Sequence, residues 1–204
     1  IAFPMMFHHT GRAWEGRNHD GFHHIQLAVS REMRQWQRVG ERQPIIEPSP
    51  LGAGAYDLLQ IVPPSYPIVR GEELWFYYTG LKRRWPPPKP EKDLSAICLA
   101  TLRRDGFVSL DADEKGGTLT TKPFLHEGTQ LYLNAAAPRG RIVCELLDAE
   151  SQPLPGFEQV NCLPITGDNT RFVVNWKEKK NLPAGPLRLR IHLYDASLYS
   201  YWIE

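Results

Sequence analysis

The sequence predicts an all-β chain, with antiparallel β-propeller blades forming a partial propeller over residues 1–110 and a β-sandwich over residues 111–204. Three observations carry this. An internal repeat of about 70 residues occupies the first half. The second half offers seven short apolar segments at turn-punctuated spacings of about ten residues. Eighteen Pro and sixteen Gly, with no long stretch of 3.6-residue periodicity, favour short strands joined by turns over helices.

The first copy of the repeat is Phe7-His8-His9-Thr10-Gly11, then Ile25-Gln26-Leu27-Ala28, Arg31 and Trp36. The second is Phe76-Tyr77-Tyr78-Thr79-Gly80, then Ile97-Cys98-Leu99-Ala100, Arg103 and Phe107. Each reads as an apolar strand, a polar loop, a strand I-x-L-A, a turn and a short strand bearing an aromatic, the meander of a propeller blade. One blade cannot bury both faces of its sheet, so at least three are expected, and two fit before residue 110. The chain therefore reads as the tail of a propeller, beginning inside a strand at Ile1.

Trp85-Pro86-Pro87-Pro88-Lys89-Pro90 interrupts the second copy between its middle strands, and proline cannot donate to a ladder. A stiff extended loop is expected there, either rimming a binding funnel or only connecting strands. Residues 111–117, charged and glycine-bearing, read as a domain boundary. Beyond them, strands are expected at 118–124, 130–135, 141–147, 157–163, 170–176, 187–194 and 198–203. Leu187, Leu189, Ile191 and Leu193 alternate with Arg188, Arg190, His192 and Tyr194, which predicts one buried and one solvent face.

Composition narrows the function. With 24 basic and 23 acidic residues evenly mixed, nothing resembles the basic footprint of a nucleic-acid binder or a polybasic membrane patch. No apolar run approaches the ~20 residues of a membrane span. A neutral polar ligand is the natural partner. Localisation is left undetermined, with secretion or a periplasmic home expected if an upstream segment carries a leader. Cys98, Cys144 and Cys162 lack C-x-x-C spacing; free buried thiols are expected, with a Cys144–Cys162 bridge left open.

The phrase I-x-L-A-x-S-R at residues 25–31, with Trp36 downstream, resembles blades of the five-bladed propeller superfamily of invertases, levansucrases and arabinanases. So does Ile68-Val69-Arg70-Gly71-Glu72-Glu73-Leu74-Trp75-Phe76-Tyr77-Tyr78-Thr79-Gly80. The resemblance covers about residues 1–110, and members often carry a C-terminal β-sandwich. It implies a carbohydrate-active protein, acting on or binding a furanoside or other polysaccharide. It marks the blade well and the reaction poorly, because hydrolases, transferases, phosphorylases and inactive relatives share it. Glycoside cleavage there is two-carboxylate chemistry, one group protonating the leaving oxygen and the other attacking or activating water. The acids of the relatives enter the funnel from early blades, so this stretch is expected to be noncatalytic alone.

Asp57, before a predicted innermost strand, is the best single carboxylate, either lining a funnel or capping a backbone turn. Glu72 and Glu73 follow Arg70-Gly71 and read as a hairpin tip. His8, His9, His19, His23 and His24 fall within seventeen residues. If they lie on paired strands, His8 or His9 approaches His23 or His24, an arrangement open to holding a divalent metal with a carboxylate, to bonding sugar hydroxyls, or to a purely structural role. Neighbours on a strand point to opposite faces, so at most half of each pair converges, and the spacing specifies no tetrahedral metal set. No metal and no cofactor are therefore expected. Trp14, Trp85 and Tyr78 join these histidines as candidate ligand-facing residues. Trp36 and Phe107, at equivalent repeat positions, are expected in the core with Trp75 and Phe76, and Trp176 and Trp202 are expected to be buried rather than a sugar platform. Exposed blade edges would favour homo-oligomers.

Overall fold

The computed structural model describes residues 1–12, 19–83 and 92–204, without the side chains of Arg12, His19 and Asp20. Its strands are antiparallel throughout. Helical structure among the described residues is confined to single turns at Gly40–Arg42 and Gln159–Asn161. None of it is long and apolar enough to cross a membrane. The chain forms two compact units, 1–107 and 108–204.

The first unit contains β1 (Met5–Arg12), β2 (His19–Gln26), β3 (Ala28–Val29), β4 (Gln37–Arg38), β5 (Pro44–Ile46), β6 (Gln60–Val62), β7 (Ile68–Arg70), β8 (Glu73–Leu81) and β9 (Ser95–Arg103). One sheet runs β1-β2-β5, a second joins β6, β7 and β9 to β8, and β3 and β4 form a small hairpin. Gly71, at φ +61°, turns β7 into β8, and Glu72 and Glu73 sit at that tip. Ile25 and Ile46 from the first copy pack with Ile61, Leu74, Phe76 and Tyr78 from the second as one core.

Both copies of the repeat fold as hairpins, but in different registers. Ile25 pairs with Met5, two residues before Phe7. Ile97 pairs with Thr79, three residues after Phe76. The offset is five residues, an odd number, and a strand alternates faces with period two. The faces are accordingly inverted. Ile25 is 0% exposed and Ile97 71%, whereas Phe7 is 39% exposed and Phe76 3%. Textual equivalence between the copies is therefore not structural equivalence. Trp36 departs from its expected core position because it falls in the loop between β3 and β4: it is 46% exposed, while Phe107 packs edge-on against Phe76 and beside Phe3. Trp75 also lies outside the core, on the outer face of β8 under the Arg70 guanidinium, with its indole N–H donating to Glu73.

The second unit contains β10 (Leu110–Ala112), β11 (Gly117–Thr120), β12 (Leu131–Leu147), β13 (Ile165–Val173), β14 (Arg188–Tyr194) and β15 (Ala196–Ile203). The sheet order is β10-β15-β12-β14-β11, with β13 on the other edge of β12, and the whole curls into a nearly closed, barrel-like sheet. The segments expected at 130–135 and 141–147 are one strand, β12. Its first half pairs with β15 and its second with β14, and β14 and β15 are separated by Asp195 alone. β10 and β11 continue one another along the far edge of β14–β15. The stretch expected at 157–163 instead holds a short helical turn and an isolated bridge, Cys162 to Trp176.

Leu187, Leu189, Ile191 and Leu193 form the buried face that their alternation predicts, packed with Leu131, Leu133, Ile142 and Leu146. Each such side chain stabilises the fold by about 1.5–3 kcal/mol. The three cysteines are free. Cys144 and Cys162 lie side by side in this core, where the Cys144 N–H donates to Cys162 Sγ at 3.2 Å and Trp176 Nε1 donates to the Cys144 carbonyl at 3.2 Å. The hydrogen bond to Cys162 and burial raise the Cys144 thiol well above its ordinary range.

Candidate functional site

The register of β1 on β2 decides which histidines meet. Phe7 opposes His23 and His8 opposes Phe22, so His8, Phe22 and His24 share one face, and Phe7, His9 and His23 the other. His8 stacks on Phe22 with ring centroids 5.0 Å apart, and its Nε2 lies 3.1 Å from His24 Nε2. The other face brings Phe7 against His23 at 5.1 Å. Among the described residues no three His, Cys, Asp or Glu side chains gather in a metal-holding group. Trp14, Trp85 and the proline stretch lie outside the described residues, and the side chain of His19 is not described.

Gln26, buried beneath His24, fixes the protons of this pair. Its Nε2 donates to His24 Nε2 at 3.0 Å and to the carbonyl of Arg42, while its Oε1 accepts from Arg38 Nη1 at 3.1 Å. The opposite amide orientation would set oxygen against oxygen at Arg42 and donor against donor at Arg38. His24 Nε2 is thus an acceptor, His8 Nε2 supplies the proton between the rings, and His24 is neutral. Burial lowers the His24 pKa, and the nearby His8 lowers it further, against an opposing pull from Glu47.

Arg38 and Arg42 also line an open cleft of about 840 Å³. The β3–β4 loop supplies Ser30, Arg31, Glu32, Gln35 and Trp36 to its wall. Arg42 joins the lining from the turn Gly40-Glu41-Arg42, whose φ values of +61°, +53° and +62° place two non-glycine residues in the left-handed region. Such a conformation costs on the order of 1 kcal/mol or more per residue and persists where the surroundings over-determine it. Here the Gln26 contact to Arg42 and the Gln43 N–H bond to the Gly40 carbonyl hold it.

Asp57 precedes β6 and is 7% exposed. Its Oδ2 accepts the Tyr78 hydroxyl at 2.7 Å. Burial, and then this carboxylate, push the Tyr78 phenol up beyond its ordinary range. Gly80 allows the approach: a Cβ there would lie 2.8 Å from Asp57 Cβ and 2.9 Å from both Asp57 Cα and Cys98 Sγ. Tyr78 therefore faces the core and Asp57, and the ligand-facing role expected of it is not what its hydrogen bond serves.

In the second unit, Glu145 is a buried carboxylate on β12 that strand alternation did not single out. Its Oε1 accepts from Arg190 Nη1 at 3.1 Å and from His192 Nε2 at 2.9 Å, and His192 Nδ1 lies 3.2 Å from Thr118 Oγ1. Hydroxyl, imidazole and carboxylate follow the order of a nucleophilic relay, but they form a row across three paired strands, β11, β14 and β12. A cross-strand polar ladder accounts for that placement. Trp176 is buried, and the Trp202 ring is stacked on Tyr132 at 5.5 Å, with the Arg171 guanidinium 4.1 Å above Tyr132.

Sequence reasoning found the histidines and Asp57 and missed Gln26, Arg38, Arg42 and Glu145. Gln26 had a usable signal, as a polar residue between two apolar positions of I-x-L-A. Comparison of the chain with protein-family models, with curated proteins and with solved structures returned no match.

Proposed function

We propose that residues 1–107 form a carbohydrate-binding module akin to blades of the propeller glycoside hydrolases, with the second unit as an accessory β-sandwich-like domain. The observation that carries this reading is the open cleft that the exposed Trp36 shares with Arg38 and Arg42, both of them tied through Gln26 to the His8–His24 pair. Flat aromatic rings stack on sugar faces, while imidazole and guanidinium groups bond to hydroxyls. The motifs at residues 25–31 and 68–80 support the kinship. Binding rather than turnover is favoured because the cleft brings several hydrogen-bonding groups together around one carboxylate, Glu32, whereas Asp57 is engaged by Tyr78.

A glycan panel tested by NMR on the whole chain, alongside aryl furanosides as substrates, checks the reading. The expected result is saccharide binding that shifts the resonances of His8, His24 and Trp36, with no furanoside hydrolysis. Turnover lost in Asp57→Asn would replace binding with catalysis, and an absence of saccharide binding would remove the carbohydrate reading altogether.

A further inference from the structure

We propose that the β3–β4 cleft selects acidic saccharides, taking the carboxylate of a uronic-acid residue between Arg31 and Arg42 while Trp36 covers the sugar ring. The inference rests on the carbohydrate-binding reading and adds the charge of the ligand.

Two features of the cleft point to an anion. Arg31, Arg38 and Arg42 line it with one carboxylate, Glu32, which leaves a local excess of two positive charges. The Arg38 guanidinium is occupied by Gln26. Among the described residues, no carboxylate pairs with Arg31 or Arg42, although the chain is rich in acids and pairs Arg139, Arg171 and Arg190 elsewhere. Two guanidinium groups lining one cleft suit a planar carboxylate, which accepts two parallel N–H bonds from one fork and a further N–H bond from the other. Second, the left-handed turn that carries Arg42 is a costly conformation held by the Gln26 contact and by the Gln43 N–H bond to Gly40, and such strain collects at ligand clamps.

The ring of Trp36 separates a sugar acid from a bare anion. It stands 46% exposed on the cleft that Arg31, Arg38 and Arg42 also line. A simple phosphate or carboxylate has no use for that surface, whereas the apolar face of a uronate ring covers it and sets its carboxylate at the rim.

Calorimetry and tryptophan fluorescence on the whole chain test the proposal. The probes are oligomers of galacturonate, glucuronate, mannuronate and guluronate, each beside its carboxyl-reduced neutral counterpart, with inorganic phosphate as a bare anion. At least one acidic oligomer is expected to bind about tenfold or more tighter than its reduced form, as a charge-assisted bidentate contact warrants. Added salt should erode that margin. Arg31→Gln and Arg42→Gln should abolish the margin with the unfolding temperature unchanged, and Trp36→Ala should weaken acidic and neutral oligomers alike. Equal binding of every acid and its reduced form overturns the proposal and leaves neutral carbohydrate binding standing. Competition by phosphate as strong as by the oligomers, independent of Trp36, overturns it as well. If no saccharide binds, this proposal and the carbohydrate reading fall together.

Discussion

At the scale of single residues, Gln26 decides most. One buried amide uses both its N–H groups and its oxygen, and so ties β2 to the Arg42 turn, holds the Arg38 guanidinium and dictates the tautomer of His24. The electrostatic consequence is a stability that depends on pH. His24 has a folded-state pKa below the ordinary 6.5, through burial first and the neighbouring His8 second. Below 6.5 the unfolded chain therefore binds a proton that the folded chain resists, and stability falls with falling pH. The contribution is complete above pH 6.5 and is lost progressively as the pH drops toward the folded value. Urea unfolding at pH 7.5 and pH 5.5 should show the native chain less stable at the lower pH. In His24→Gln, that difference should shrink. An unchanged pH slope in the variant would assign the loss to other groups.

At the scale of elements, three strand paths of the second unit, β10–β11, β14–β15 and β12, break or turn at one level, with β13 on the other edge of β12. β10 and β11 break at Asp113–Gly116, β14 and β15 break at Asp195, and β12 passes the same level at Pro138-Arg139-Gly140. The breaks are bonded to one another. The Asp195 N–H donates to the Asp113 carbonyl at 2.9 Å, and Arg139 bridges to the Asp195 carboxylate. Glycine is required at the corner because a Cβ on Gly140 would sit 1.7 Å from the Tyr194 carbonyl oxygen, and one on Gly116 2.7 Å from the Tyr194 ring. Gly140→Ala should accordingly destabilise the fold by about 3 kcal/mol, since backbone must move to admit the methyl group. Gly167→Ala, in open space but at φ +90°, should cost only backbone strain of about 1 kcal/mol. Chemical denaturation of the two variants measures the difference, and equal losses would show that the corner yields. Local patterning made the strands legible in the sequence, because alternation of apolar residues is a property of neighbours. It divided β12 in two at Pro138-Arg139-Gly140, where turn chemistry suggests a stop and the pairing strands on both sides carry the chain through. The repeat misled for a related reason: matched words leave hairpin register free, and five residues of slip turned Ile97 and Leu99 outward while Ile25 and Leu27 face in.

At the scale of the whole molecule, the division at residue 107 separates two different kinds of stability. The second unit owns a large apolar core that includes Leu131, Leu133, Ile142, Leu146, Val174, Leu187, Leu189 and Ile191, each 0–1% exposed. The first unit has a smaller core around Ile25, Ile61, Leu74, Phe76 and Tyr78 and leaves Val62, Ile68, Tyr77, Ile97 and Leu99 exposed, several of them neighbours on the outer face of β8 and its partners. Its site was correspondingly harder to read in advance. A cleft wall made by a left-handed turn and a buried amide has no periodicity, and only the fold places residues 26, 38 and 42 together. Core size also sets what each unit does alone. A domain of about 100 residues with a continuous core is of a size that folds unaided. Residues 108–204 expressed alone should therefore unfold in one cooperative transition, with dispersed amide resonances that match those of the same residues in the whole chain. Residues 1–107 alone should unfold at lower denaturant and bind a hydrophobic dye through the outer face of β8 and β9. Thermal circular dichroism with two-dimensional NMR on the two fragments reads both outcomes, and a non-cooperative second unit would mean that its core is completed by the first.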